Sequence, residues 1–290
     1  MISKKPLSLL LALLVCALFQ GPAVASAATI PPASGTPADS QKATISFVGD
    51  VHLGGAFGKS GAIEKLYSKN GAAYFFKGVA DIFGQDDLTV INLETPFTTQ
   101  SDFQKGKIYT YRADPKVAKI LGSGGVEMAN VVSNHMQDYK QDGFDESLRV
   151  LKRHRIDYFG TNLWNCPSPE VGSVKIEQIV IRKINGIRIG FLGYTGFNWP
   201  NSSYKAKVKK DLSLLKAETD FIVVSMHWGD QDTRVIRPKE RAIAKYLIDN
   251  GADFIYGHHP HVLQKIETYK GKKIAYSLGN LIFSPPREIS

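Results

Sequence analysis

Residues 44–52 read Thr-Ile-Ser-Phe-Val-Gly-Asp-Val-His. The run Thr44-Ile45-Ser46-Phe47-Val48 alternates and favours β-branched side chains, which is the pattern of a strand. It closes on Gly49-Asp50-Val51-His52, so a carboxylate and an imidazole stand where the strand ends. The arrangement recurs along the chain. Leu88-Thr89-Val90-Ile91 predicts a second strand ending at Asn92-Leu93-Glu94, and Ala129-Asn130-Val131-Val132 a third ending at Ser133-Asn134-His135. Phe221-Ile222-Val223-Val224 leads into Ser225-Met226-His227-Trp228-Gly229, and Phe254-Ile255 leads into Gly257-His258-His259-Pro260-His261.

Helical patterns lie between these runs. Residues 63–83 read as a helix broken at Asn70-Gly71, and residues 115–121 as a short helix opened by proline. Residues 144–155 form a helix with Phe144, Leu148 and Leu151 on one face, and Ile156-Asp157-Tyr158-Phe159 a strand. Alternation of this kind predicts a mainly parallel sheet covered by helices. The rhythm then changes. Residues 174–183 and 187–192 predict a hairpin turning at Asn185-Gly186, residues 208–217 and 239–249 predict helices, and residues 262–269 and 273–277 predict a second hairpin at Lys270-Gly271. The sum is one mixed α/β domain over residues 43–290, two sheets with helices outside, with no internal repeat.

Ligands of open α/β sheets bind beyond the carboxyl ends of the strands. Five strand ends therefore deliver Asp50, Glu94, Asn134, His227 and His259 to one edge. Each has an ordinary reading: Asp50 as a turn cap, His227 as a hydrogen-bonded histidine, Asn134-His135 as turn chemistry. Jointly they form a ligand set that Mn, Fe and Zn accept. A bridging carboxylate can hold two such ions ~3.5–4 Å apart.

The 290 residues suffice for a full core. Lys4 and Lys5, the apolar run of residues 7–19 and the small residues 23–28 have the layout of a secretory signal peptide over residues 1–27. The alternative is a retained anchor, for which the apolar core is short of the ~20 residues that span a bilayer. Residues 28–42, rich in Pro, Ser, Thr and Ala, predict a disordered linker. Without the leader Cys166 is the remaining cysteine, so no internal disulfide is expected. The formal charge of +9, of which the leader carries Lys4 and Lys5, draws an exported protein to an anionic envelope polymer; a solvated lysine surface is the plainer reading. No basic run interleaved with aromatics suggests nucleic acid.

The order Asp-x-His, acid, Asn-His, His, His-x-His resembles the calcineurin-like metallophosphoesterase superfamily. The fuller wording is similar to the CapA family of poly-γ-glutamate capsule synthesis proteins: Gly-Asp-Val-His-Leu-Gly at 49–54, Ile-Asn-Leu-Glu-Thr-Pro at 91–96, Tyr-Arg-Ala-Asp-Pro at 111–115, Ser-Asn-His-Met-Gln-Asp-Tyr at 133–139, His-Trp-Gly at 227–229, Gly-His-His-Pro-His-Val-Leu-Gln at 257–264 and Tyr-Ser-Leu-Gly-Asn at 276–280. The resemblance runs from about residue 43 to 283. It implies an αββα sandwich of the metallophosphoesterase type, with mixed sheets and helices on the outer faces. It also implies two divalent ions, with Asp50, His52 and His261 on the first, Glu94 bridging, and Asn134, His227 and His259 on the second. His135 would stand beside the leaving group, oriented by Asp138. The sequence departs from the superfamily in placing Glu94 where an Asp is usual. Arg112 is a candidate anion clamp or a plain surface arginine. His258 contacts substrate or caps its loop, and Asn280 supports the site or forms a turn.

Two functions follow from the resemblance. One is a metal-dependent hydrolase of phosphoester type, outside the cytoplasmic membrane, in poly-γ-glutamate capsule synthesis and export. The other is a non-catalytic, metal-containing component that holds the poly-γ-glutamate chain, beside membrane components of the same machinery.

Overall fold

The computed structural model describes residues 42–57, 61–160, 179–197, 199 and 201–283, together with the dipeptide Val15–Cys16. Most of the expected leader, the expected linker and Cys166 lie outside the described residues.

Strands β1 (Ile45–Val51), β2 (Leu88–Leu93), β3 (Met128–Asn130) and β4 (Asp157–Phe159) lie side by side, all parallel. Strands β5 (Ile179–Ile184), β6 (Ile187–Thr195), β7 (Phe221–His227), β8 (Phe254–His258), β9 (Ile266–Tyr269) and β10 (Lys272–Ala275) make a second sheet in the order β9-β10-β8-β7-β6-β5. Its inner pairs are parallel and its two edge pairs are antiparallel hairpins. Those hairpins turn where expected. Asn185 and Gly186 have φ of 47° and 90°, Lys270 and Gly271 of 48° and 77°, the two positive values of a tight primed turn. Strand β11 (Asn280–Ile282), unforeseen in the sequence, returns to the first sheet and pairs parallel with β1. Val15–Cys16 pairs antiparallel with Phe47 and Ser46 of β1.

Alternation along the strands sorts side chains into layers. Ile45, Phe47, Val90, Met128 and Phe159 face Ile189, Phe191, Val223, Phe254 and Tyr256 across the space between the sheets. The Phe47 ring lies 5.2 Å from that of Phe254 and 4.7 Å from that of Tyr256. Val48, Ile91 and Leu93 point the other way, onto Val117, Leu121, Phe144 and Leu151. In the second sheet Leu192, Val224 and Ile255 do the same against Val208, Leu212, Ile243 and Leu247. The result is an αββα sandwich, as expected.

The helices are shorter or shifted where caps intervene. The expected helix of residues 63–83 is α1 (Ala62–Asn70), a 3-10 turn (Ala72–Tyr74) and α2 (Ala80–Phe83); Gly71, at φ 76°, ends α1 by donating its N–H to Tyr67 O at 2.8 Å. Pro115–Ala118 is a 3-10 turn running into α3 (Lys119–Ser123), and α4 spans Lys140–Arg153. Helix α5 (Ser202–Glu218) starts before the expected residue 208, because the Asn201 side chain accepts from Ser203 N and Tyr204 N at 2.9 and 3.3 Å. Helix α6 is Pro238–Asp249. Among the described residues no helix is long and apolar enough to cross a membrane.

Candidate metal centre

The first sheet lines up four polar side chains by register. Asn280 of β11 pairs with Asp50 of β1, Asp50 with Asn92 of β2, and Asn92 with Asn130 of β3. Register partners share a face, so these residues form one row. Within it Asn130 Nδ2 donates to Asn92 Oδ1 at 2.6 Å, and Asn92 Nδ2 donates to Asp50 Oδ1 at 2.7 Å. Asp50, Asn92 and Asn130 are wholly buried. The backbone closes tightly here. Asp50 N donates to Gly279 O at 2.8 Å, and a Cβ on Gly49 would stand 2.2 Å from that oxygen, which only glycine avoids.

The second sheet brings its histidines to the same place. His227 ends β7 beside His258, which ends β8. The loop after β8 holds His259 and His261 at φ 95° and 59°, values that imidazole side chains rarely adopt. Backbone bonds from Trp228 N to His258 O (3.1 Å), Asp232 N to Pro260 O (2.9 Å) and Leu278 N to Gly257 O (3.0 Å) keep it there. Strain held by surrounding bonds in this way is a recurrent property of functional loops.

Two groups of ligand atoms result, each within 4.8 Å of one another: Glu94 with His227 and His259, and Glu94 with Asp50 and His261. Glu94 is common to both. All five side chains are buried, the carboxylates completely. Asn134 Oδ1 lies 3.0 Å from His227 Nε2. His261 Nδ1 lies 2.9 Å from Asn280 Oδ1 and 3.2 Å from Asp50 Oδ2, with Nε2 3.7 Å from Glu94 Oε1. An amide oxygen on one ring nitrogen fixes the tautomer and aims the other at a ligand. Two carboxylates out of water need compensating positive charge. Each group can therefore hold a metal ion, and its oxygen and imidazole donors suit a divalent one.

Proton equilibria fit this environment. Burial works to raise the Asp50 carboxyl, yet hydrogen bonds and charge from His258 and His261 hold it well below the usual carboxylate range. Burial, then the neighbouring charge of His259, pushes His227 well below the usual imidazole range. Burial and the charges of His135 and His261 push His52 down to about 3. His261 goes up to about 9: burial opposes its charge, but Glu94 and Asp50 outweigh burial.

The other expected site residues lie around this cluster. His52 is fully buried but outside both groups; its ring meets Tyr111 at 4.5 Å, Phe283 at 4.9 Å and His135 at 6.4 Å. His135 Nδ1 is 2.8 Å from Asp138 Oδ2, the pairing expected. Two residues with a candidate substrate role in the sequence have these surroundings. Arg112 Nη1 donates to the carbonyls of Thr99, at 3.0 Å, and Gln100, and its guanidinium lies 5.2 Å over the Tyr139 ring, so one arm of its fork ties down a loop. His258 is fully buried, with Nδ1 3.2 Å from Asp50 Oδ1. Sequence reasoning gave no role to Asn92, Asn130 or Lys107. The two asparagines stand out locally as polar residues inside apolar strands, but their pairing depends on strand register.

Comparison with known proteins identifies the family and the fold. The bacterial capsule synthesis protein PGA_cap family matches residues 44–285. The chain is 31% identical over 252 residues to a PGA biosynthesis protein CapA of Bacillus subtilis, covering 83% of this chain and 63% of that one. It is 29% identical over 263 residues to a capsule biosynthesis protein CapA of Bacillus anthracis, covering 84% and 61%. The chain thus spans about three fifths of these relatives' length. A probable polyglutamine synthesis accessory protein of Mycobacterium tuberculosis is 27% identical over 210 residues, covering 68% and 55%. A hypothetical protein from Thermus thermophilus, known from its crystal structure, shares the fold with a TM-score of 0.51 at 17% identity, over 81% of this chain and 75% of that one. A match across nearly all the described sandwich, motif loops included, means that the chain belongs to the PGA_cap family of bacterial capsule synthesis proteins, the family of CapA.

Proposed function

We propose that the protein is an exported component of poly-γ-glutamate capsule synthesis or export, and that its buried cluster is a two-metal hydrolase centre of phosphoesterase type. The observation that carries this reading is Glu94, the member common to both ligand groups. A carboxylate shared in this way suits two ions side by side. Asp50 and His261 would hold one ion, with His52 beside them, and His227 and His259 with Asn134 the other; Mn, Fe and Zn all accept such a set. Ions bound there supply Lewis acidity and activation of water.

The remaining chemistry belongs to the chain. Asp138 Oδ2 accepts a hydrogen bond from His135 Nδ1–H, so that in the imidazolium form the Nε2 proton is the one passed to the departing oxygen. Asn92 and Asn280 orient the ligands by their bonds to Asp50 and His261, and His258 adds a nearby ring nitrogen at 3.2 Å from Asp50. The relatives' names, PGA biosynthesis and polyglutamine synthesis, direct the partner toward poly-γ-glutamate, with membrane components of that machinery nearby. The formal charge of +9 favours a polycarboxylate in either case and supports a second reading, a metal-shaped pocket that holds the polymer without turnover.

The test is metal analysis of the purified protein beside hydrolysis of bis-p-nitrophenyl phosphate, before and after chelation. The hydrolase reading expects bound divalent metal and turnover that chelation abolishes and metal restores. Bound metal with no turnover, in a protein that still complements a capsule-deficient strain, establishes the second reading instead. N-terminal sequencing of exported material tests the leader; an intact Met1 on membrane-bound protein means an anchor.

A further inference from the structure

Lys107 makes two contacts that the chemistry above does not use. Its Nζ donates to the Asn134 carbonyl at 2.6 Å and to Asp138 Oδ1. Asn134 carries the amide that meets His227, and Asp138 carries the carboxylate that holds His135. One ammonium therefore joins the ligand end and the proton-transfer end of the same turn. The surrounding loop adds to the connection: Gln104 N donates to Asp138 O at 2.8 Å, and Tyr111 N donates to Asp138 Oδ2 at 2.7 Å.

The burial is unequal in an informative way. The Lys107 side chain is 28% exposed and that of Asp138 is 0% exposed. An ion pair on an open surface changes little when broken, but here the carboxylate is sealed in and its remaining side-chain partner is an imidazole. Without the ammonium, Asp138 keeps a backbone N–H and His135, and loses both its counter-charge and its tie to Asn134. Two bonds at one nitrogen also fix distance: the Asn134 carbonyl and the Asp138 carboxylate are held around a common donor. The ring that Asp138 orients is then set at a constant offset from the ligand turn.

We propose that Lys107 is a positioning residue that acts through Asp138 on the His135 ring, with the Asn134 carbonyl as its anchor. The segment from Gln104 to Tyr111 is then part of the proton-transfer apparatus. The kinetic consequence rests on the hydrolase reading; the consequence for the ring itself does not.

The experiment compares Lys107→Met and Lys107→Arg, in the wild-type protein and in His135→Ala, using bis-p-nitrophenyl phosphate turnover, metal content and ¹⁵N NMR of the histidine rings. Lys107→Met is expected to lower kcat roughly 10- to 100-fold with KM and metal content unchanged, the range typical of a residue that orients another. Lys107→Arg should recover part of the loss. In His135→Ala the same Met substitution should cost nothing further, because the ring it positions is gone. An equal loss in both backgrounds means a merely structural role and overturns the proposal. If the wild-type protein shows no turnover, the hydrolase reading fails while the NMR arm still decides: a single Nδ1-protonated His135 in wild type and a mixed tautomer in Lys107→Met support the proposal, and identical ring signals overturn it. Should the Met variant not fold, Lys107→Gln is judged by the same outcomes.

Discussion

The two flanks of the cluster are positioned by different means. On the ligand flank, Asn280, Asp50, Asn92 and Asn130 sit on four adjacent strands in register, so their spacing is that of the sheet itself. On the proton flank, His135, Asp138 and Lys107 stand outside any strand, and one buried carboxylate gathers donors from three places in the chain. A sheet tolerates the loss of one side chain because its ladder remains. A turn held by one carboxylate does not. Metal affinity should therefore degrade in steps across the ligand flank, whereas proton transfer should be lost at once when its single support goes.

The largest effect belongs to the residue that serves both ligand groups. Glu94→Ala should bring divalent metal content and hydrolysis to background together; a variant that keeps its full metal complement would show that Glu94 is not shared. Next is His135→Ala, which should lower kcat by ~10²- to 10⁴-fold, the usual contribution of a general acid, at unchanged metal content. Parallel loss of metal would erase the distinction between the flanks. Smaller still, Asn92→Ala removes the donor on Asp50 Oδ1 and should weaken metal binding by ~10- to 100-fold. Excess metal should restore its activity, as titration calorimetry and rescue assays would reveal. The smallest is Ile108→Ser: Ile108 is 82% exposed, so melting should shift by no more than corresponds to ~0.5 kcal/mol, with metal binding unaltered. A marked loss of metal there would mean that the segment around Lys107 reaches the ligand flank directly.

How legible each flank was follows the same division. Strand-end chemistry is local: Gly49-Asp50-Val51-His52 and Ser133-Asn134-His135 announce themselves within a few residues of an apolar run. The layering was legible too, because alternation alone sends Phe47 between the sheets and Val48 outward. The amide row was not, since Asn92 and Asn130 meet only through β2–β3 register, which no local pattern encodes. Strand β11 escaped because three residues after a positive-φ Gly279 carry no measurable period. Arg112 was open between an anion clamp and a surface arginine, and His258 between a substrate contact and a loop cap; their neighbours, the carbonyls of Thr99 and Gln100 and the Asp50 carboxylate, become visible only when distant segments meet.

Strand β11 also bears on the order of events in the life of the chain. Asn280 docks beside Asp50, and Gly279 O accepts the Asp50 amide hydrogen, so an early segment of the fold is completed by one of its last. Contacts this distant in sequence form late, after loop closure has been overcome. Until β11 docks, the strand of Asp50 lacks one neighbour and the Asp50 amide lacks its carbonyl acceptor. A metal ion taken up by Glu94, Asp50 and His261 would therefore be drawn from the pool present where that final strand docks.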